Sequence, residues 1–107
     1  KSRPLDLNAY QAEAQKTAIY GVNHAVIYPA LGLAGEAGEV ANKVKKMLRD
    51  GDFDRNAVAA ELGDCMWYIA ALSRDLNISM SEIAMANLEK LMKRKANGTI
   101  KGSGDNR

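Results

Sequence analysis

The chain has 107 residues, of which 47% are apolar and 26% are charged. This length fits one domain, and the composition excludes a disordered tail, a collagen-like fibre and a low-complexity array. Fifteen basic and 13 acidic residues leave a net charge of +2, which is too balanced for a dedicated binder of nucleic-acid polymers. No apolar run approaches the roughly 18 to 20 residues of a membrane span, so we expect a cytoplasmic protein with no membrane partner.

Local signals predict four helices and no strands, an all-α fold. Alanine, leucine and methionine are plentiful, and this composition favours helices over strands. The first helix is expected over about residues 5–20, with Asp6 or Asn8 as its N-cap. A loop is expected to follow over about residues 21–29.

The second and third helices form the centre of the prediction. The second is expected over about residues 30–49 and ends at Asp50-Gly51, a common C-terminal stop. Asp52 or Asp54 can cap the third helix, which continues to about Leu76.

The fourth helix has the clearest start signal. Ser79 with Glu82 three residues later is a capping-box pattern, and the helix is expected to end near Ala96. Residues 1–98 are therefore predicted to form one helical domain, and residues 99–107 a flexible, Gly-rich tail.

Two short acidic pairs are the most informative feature of the sequence. Glu36 and Glu39 lie on the second predicted helix, and Glu61 and Asp64 on the third. Spacing of three residues puts both members of a pair on one side of a helix, and projection places Glu61 inside the apolar stripe of its helix. Inward carboxylates are costly unless a cation compensates them, and hard oxygen donors suit magnesium or manganese.

Other interpretations of these pairs stay open at this point. A lone acidic pair on a helix is most often a solvated face. Gly35, Gly38 and Gly63 lie beside the acids, which indicates close approach of a ligand or of another backbone; for Gly63, tight helix packing explains the glycine equally well. Zinc is disfavoured because Cys65 and His24 are single and isolated, and a ferritin-like di-iron site would need two Glu-x-x-His motifs, which the sequence lacks.

At these residues the chain resembles the MazG-like family of all-α nucleoside triphosphate pyrophosphohydrolases. That family carries Glu-x-x-Glu, a spacer, and then Glu-x-x-Asp, and the segments 31–40 and 61–64 are similar to its core. Many members double the first acid, where this chain has Gly35. The resemblance extends from about Tyr10 to Arg94.

The resemblance implies cleavage of a (d)NTP between its α and β phosphates, giving the (d)NMP and pyrophosphate, in nucleotide-pool control or house-cleaning. It implies that Glu36, Glu39, Glu61 and Asp64 are the catalytic metal ligands for Mg²⁺, with Mn²⁺ as a substitute. One of the glutamates could instead position the attacking water. It also implies a homodimer or a dimer of dimers, whose pairing completes the four-helix bundle.

A triphosphate substrate needs further cations, so we expect phosphate contacts from Lys43, Asn87, Lys90 and Arg94. The alternative for Lys43 is an i, i+4 pair with Glu39, and for the fourth helix a solvated basic face.

The base or sugar is expected to meet Tyr68, His24 and Trp67. The alternatives are a core tyrosine, a surface histidine and an interface or core tryptophan. A different class of function is also open, namely a non-catalytic helical module that uses the same apolar faces for dimerisation.

Overall fold

The structure is a computed structural model that describes residues 5–98. Within that range it contains four α-helices, a short 3₁₀ turn at Val22–His24 and no strand, so the all-helical prediction is confirmed. None of these helices has the length and hydropathy of a membrane span. The helices are α1 (Leu7–Gln15), α2 (Ile27–Asp50), α3 (Arg55–Asp75) and α4 (Met80–Ala96).

Helix α3 is the centre of the fold. Helix α2 packs along it most extensively, α1 packs on both α3 and α4, and α4 packs on α3. The buried core is small: Ala14, Ala70 and Met80 form it, and Tyr10 and Trp67 pack against it. Within the described chain, α3 contributes Ala70 and Trp67 to this cluster and α2 contributes none of its residues. Helices α2 and α3 are the two that carry the acidic residues.

The predicted helix boundaries at the α2–α3 connection are confirmed. Gly51 ends α2 in the left-handed conformation, with φ of 71°, and donates its N–H to the Met47 carbonyl at 2.7 Å. Asp54 caps α3 by accepting hydrogen bonds from the N–H groups of Asn56 and Ala57.

The capping box at the start of α4 is also present. The Ser79 hydroxyl accepts from the Glu82 N–H at 3.1 Å, and the Glu82 carboxylate accepts from the Ser79 N–H at 3.0 Å. The next amide, Ser81 N–H, donates to the Asn8 side chain of α1. Helix α1 thus supplies an acceptor that the first turn of α4 lacks on its own.

Gln11 joins α1 to the α3–α4 connection. Its side chain is buried, and its Nε2 donates to the carbonyls of Ala70 at 3.4 Å and Ile78 at 3.2 Å. Its Oε1 accepts from the Met80 N–H at 3.0 Å. One amide side chain therefore bonds three backbone groups, one each on α3, on the α3–α4 connection and at the start of α4.

Two predicted boundaries are wrong. Helix α1 ends at Gln15 rather than near Tyr20, and the Thr17 hydroxyl then bonds back to the Ala14 carbonyl. Helix α2 begins at Ile27, before the predicted start at residue 30. Pro29 is fully buried and fits the first turn of α2, because the N–H that proline lacks has no partner within the helix there.

The single chain leaves much of its apolar surface uncovered. On α2 and α3, large apolar side chains stay exposed, including Leu48 at 85% and Leu62 at 51%. Val44, Leu48 and Phe53 surround a groove of about 320 Å³ near the end of α2. An exposed apolar area of this kind is typical of an interaction surface.

Candidate functional site

Packing of α2 on α3 brings three of the four predicted acids together. One carboxylate oxygen each from Glu36, Glu61 and Asp64 can be chosen so that all three lie within 4.8 Å of one another. The Glu61 side chain is only 16% exposed, which agrees with its predicted inward position. The structure thus forms an acidic cluster, defined by these three residues, between the two helices.

Glu39 differs from the other three acids. It is exposed and lies one helical turn beyond Glu36 on α2. Among the described residues, the group of oxygens within 4.8 Å does not include it. Its negative charge nevertheless raises the pKa of Glu36, so it contributes to the same electrostatic environment.

Lys43 neutralises part of this charge. Its Nζ lies 3.5 Å from Glu61 Oε2, across the contact between α2 and α3. The structure thus pairs Lys43 with the acidic cluster, where the sequence had left open an i, i+4 pair with Glu39. The side chain is 40% exposed, so its ammonium group also faces the solvent beside the acids.

The charge in the cluster exceeds what one lysine can balance. A hydrogen bond with Glu61 raises the pKa of Glu36 above its ordinary value, and partial burial together with the negative charges of Asp64, Glu61 and Glu39 raises it further. Carboxylates this close disfavour joint ionisation unless a cation lies between them. The donor set consists of hard oxygens, which fits a divalent cation of the Mg²⁺ class.

An open pocket adjoins the acidic cluster. It has a volume of about 370 Å³, and its lining includes the carboxylates of Glu36 and Asp64 together with Thr17, Trp67 and Tyr68. Carboxylates beside aromatic rings form a surface that can take a charged group and a planar group together.

Thr17 is the lining residue that sequence reasoning missed. Its hydroxyl accepts a hydrogen bond from Trp67 Nε1 at 2.7 Å and donates to the Ala14 carbonyl. The Trp67 and Tyr68 rings meet edge to face, with centroids 5.1 Å apart. Thr17 lies 50 positions from Trp67 in the chain, so no local pattern marks the contact.

The close approach between α2 and α3 occurs at Gly32, a glycine that the sequence analysis did not single out. The Tyr68 ring lies over it, and a Cβ built there would be 2.6 Å from Tyr68 Cδ1. The sequence indicated close approach at Gly35, Gly38 and Gly63, yet within the described chain no atom outside their own helices lies within 4 Å of a Cβ built at these positions.

The other predicted contacts, His24, Asn87, Lys90 and Arg94, are not among the residues that line this pocket. His24 is exposed in the 3₁₀ turn and does not line the pocket. Asn87 lines a different groove, of about 280 Å³, together with apolar residues of α1, α3 and α4. Lys90 and Arg94 are half-buried on α4. The tail at 99–107 lies outside the described residues.

Fold and site define an all-α protein with a carboxylate cluster of the kind that holds divalent cations. Residues 28–99 match the MazG nucleotide pyrophosphohydrolase domain, and the chain belongs to this family. It is 46% identical over 114 residues to the Gene 37 protein of Mycobacterium phage L5, in an alignment that covers 96% of this chain and 100% of that relative. No solved structure matches the chain significantly. The predicted family is thereby confirmed.

Proposed function

We propose that the chain is a Mg²⁺-dependent nucleoside triphosphate pyrophosphohydrolase that converts a (d)NTP into the (d)NMP and pyrophosphate, in nucleotide-pool control or house-cleaning. One observation carries the proposal, namely the convergence of Glu36, Glu61 and Asp64 beside an aromatic pocket in a member of this family. A triphosphate is recognised by its charge and a base by its planar surface, and the site offers groups suited to both.

The three acids of the cluster are the proposed metal ligands, and Glu39 is the proposed fourth. Its position one turn beyond Glu36 lets a side-chain rotation bring its carboxylate toward the others. Mg²⁺, or Mn²⁺ in its place, would supply neutralisation of the triphosphate charge and a bound water of lowered pKa. One of the glutamates is proposed to orient the water that attacks the α phosphorus.

Lys43 is the proposed phosphate contact nearest to the acids. Its ammonium group already lies beside Glu61 and faces the solvent, so it can neutralise a phosphate oxygen that approaches the cluster. Asn87, Lys90 and Arg94 are proposed as further phosphate contacts. For Asn87, which lines another groove of its own chain, this role requires α4 of a second copy.

The aromatic side of the pocket is the proposed base and sugar site. Tyr68 and Trp67 both line it, and their rings offer flat apolar surface close to Glu36 and Asp64. His24 is retained as a proposed contact to the base, although it lies outside this lining.

We propose a homodimer or a dimer of dimers as the working assembly. The support is the set of large apolar side chains that a single chain leaves exposed on α2, α3 and α4. Pairing of these faces would bury that area and extend the small core of one chain.

The test is a hydrolysis panel of dNTPs and NTPs with Mg²⁺ or Mn²⁺, in which pyrophosphate and monophosphate are both measured. We expect release of pyrophosphate, and its loss in Glu61→Gln. Glu13→Gln is the matched control, because Glu13 is exposed on α1 and pairs with Lys16 away from the cluster. Absence of pyrophosphate from the whole panel, or full activity in Glu61→Gln, would overturn the proposal.

The same samples separate the enzyme from a non-catalytic dimerisation module. Such a module would pair through its apolar faces, yet Mg²⁺ would leave its melting temperature unchanged. The proposed enzyme gains stability as its metal concentration rises above the dissociation constant.

A further inference from the structure

Asp75, the last residue of α3, is held by an unusual number of partners. Its side chain is 5% exposed. Oδ2 accepts from the Tyr20 hydroxyl at 2.7 Å and from the Val26 N–H at 2.9 Å, and Oδ1 accepts from the Arg74 guanidinium at 3.1 Å and 3.2 Å. A carboxylate is unfavourable at a helix C-terminus, so its burial there depends on these donors.

The backbone that Asp75 holds is strained. Val26 has φ of 69° and ψ of −55°, and the Ile27 N–H donates to the Ala25 carbonyl at 2.7 Å. These values define a γ-turn of the rarer, positive-φ kind, which is unfavourable for a β-branched residue. Such a conformation persists where surrounding contacts impose it, and here the Val26 N–H is bonded to Asp75.

The strained turn leads directly into α2, the helix that carries Glu36. Tyr20, held by Asp75, stacks on Tyr28 in the first turn of α2, with ring centroids 4.8 Å apart. The Tyr28 ring in turn contacts the Tyr68 ring at a tilt of 50°, with centroids 6.3 Å apart. Tyr68 lines the pocket beside Glu36, so contiguous side-chain contacts join Asp75 to the pocket wall.

We infer that Asp75 is a positioning residue for the nucleotide pocket. By holding Val26 in its γ-turn and Tyr20 against Tyr28, it fixes the first turn of α2 and thereby the place of the Tyr68 ring. Asp75 acts at a distance and leaves the acidic cluster itself unchanged. The inference rests on the proposed function for the identity of its ligand.

The first test compares Asp75→Asn and Tyr20→Phe with the wild-type chain. Both substitutions keep the side-chain shape and weaken the hydrogen bonds at Asp75. Displacement of the pocket wall acts on nucleotide binding, so we expect KM to rise by about tenfold while kcat stays within about threefold. Mg²⁺ affinity, measured by calorimetry, should match the wild-type value.

The chain offers a matched control. Arg49 and Asp50 form a similar Arg-Asp pair at the end of α2, with Nε and Oδ1 2.7 Å apart, and both side chains are exposed. We expect Asp50→Asn to leave KM unchanged. All assays are run below the melting temperature of each variant, so that a loss of folded protein does not enter KM.

A rescue variant separates positioning from a general structural role. Glycine adopts positive φ without a steric penalty, so adding Val26→Gly to Asp75→Asn should lower the raised KM most of the way to the wild-type value. If Asp75 only stabilises the fold, Asp75→Asn lowers the melting temperature and leaves KM unchanged. That result, or a raised KM that Val26→Gly fails to lower, overturns the inference.

Failure of the proposed function is seen separately. Binding of a non-hydrolysable α,β-imido dNTP with Mg²⁺ is measured by calorimetry in the same variants. If the wild-type chain binds this analogue but releases no pyrophosphate from any nucleotide of the hydrolysis panel, the proposed function alone is overturned. About tenfold weaker binding of the analogue by Asp75→Asn then supports the positioning role. Wild-type affinity in Asp75→Asn overturns the positioning role, and a wild-type chain that binds no analogue overturns both.

Discussion

The Tyr68 ring lies directly over Gly32, at the contact between α3 and α2. A methyl group at position 32 would approach Tyr68 Cδ1 to 2.6 Å, which is closer than two carbon atoms can pack. The absence of a side chain at Gly32 therefore sets both the spacing of the two helices and the position of one wall of the pocket.

Gly32→Ala is expected to push Tyr68 out of its place. We expect a loss of about 1–3 kcal/mol in the free energy of unfolding, because an added methyl group overpacks the contact. The measurement is urea unfolding of Gly32→Ala in the wild-type and Tyr68→Ala backgrounds. The loss should vanish without the Tyr68 ring, and equal losses in both backgrounds would contradict the assigned contact. Gly38→Ala is the control, where helix propensity favours alanine by about 1 kcal/mol.

Glu36→Gln is expected to stabilise the metal-free chain while it weakens the response to Mg²⁺. The hydrogen bond with Glu61 and the neighbouring negative charges raise the pKa of Glu36, so the folded state holds its proton more tightly than the unfolded chain. Stability therefore falls as the pH rises from 4.5 through the raised pKa, and glutamine removes this fall. Thermal melts at several pH values, with chelator or with Mg²⁺, measure both effects. If metal-free Glu36→Gln melts below the metal-free wild type at neutral pH, the expected stabilisation is contradicted.

Asp75 is expected to contribute stability that is lost in acid. Burial by itself raises the pKa of Asp75, and the hydrogen bonds from Val26, Tyr20 and Arg74 more than offset it, so the pKa lies below 3.8. This stabilisation is present above about pH 3.8 and is lost as the pH falls through the lower, folded-state pKa.

The measurement is urea unfolding of wild type and Asp75→Asn between about pH 2 and 6, a range that brackets the ordinary carboxyl pKa. We expect Asp75→Asn to be about 1–3 kcal/mol less stable than the wild type at pH 6, and this difference in unfolding free energy should become smaller in acid. The control is the exposed Asp50, whose pKa is lowered by its hydrogen bond with Arg49. Asp50→Asn should change the dependence of unfolding free energy on pH in acid far less than Asp75→Asn does. A gap independent of pH would contradict the assigned role of the Asp75 charge.

Gln11→Met is expected to destabilise the joint between α1 and the start of α4. Methionine has a similar shape, yet it leaves the Met80 N–H and the Ala70 and Ile78 carbonyls without the Gln11 amide. Buried polar groups without partners cost about 1–3 kcal/mol each, so the loss in unfolding free energy should reach at least that range. Gln15→Met, on the exposed side of the same helix, should cost little in the same urea titration. Equal effects of the two variants would show that the buried hydrogen bonds contribute nothing.

Leu48→Lys is expected to weaken the proposed homo-oligomer. Leu48 is 85% exposed in the single chain and borders the groove that also includes Val44 and Phe53. A lysine there places a charge in the face that pairing would bury. Light scattering coupled to gel filtration should show a smaller species at equal concentration. Lys46→Glu, at an exposed position about 160° around α2 from Leu48, should leave the assembly intact. An unchanged mass for Leu48→Lys would place the interface elsewhere.

Features determined by neighbouring residues were predictable from the sequence. The Ser79–Glu82 capping box, the Asp54 cap and the Gly51 stop depend on contacts within a few residues, and all are present. The convergence of Glu36 with Glu61 and Asp64 followed from two helical projections and the expectation that the helices pack together.

Features determined by distant contacts were missed. Thr17 and Asp75 acquire their roles from residues about 50 positions away, and helix periodicity carries no signal of such contacts. The predicted start of α2 was too late because proline was taken to indicate a loop. Pro29 instead lies in the first turn of α2, where the backbone N–H that proline lacks would have no partner within the helix. The glycine that matters for packing, Gly32, differs from its neighbours only in facing an aromatic ring on another helix.

Trp67 gives the chain a built-in optical reporter. It is the single tryptophan of the sequence, it lines the pocket beside the acidic cluster, and its indole N–H is bonded to Thr17. Emission excited at the indole band therefore originates from one place in the molecule, so a shift in its wavelength or a change in quenching reports the surroundings of the pocket. Metal and nucleotide titrations can be followed in the unlabelled wild-type protein, without an engineered fluorophore.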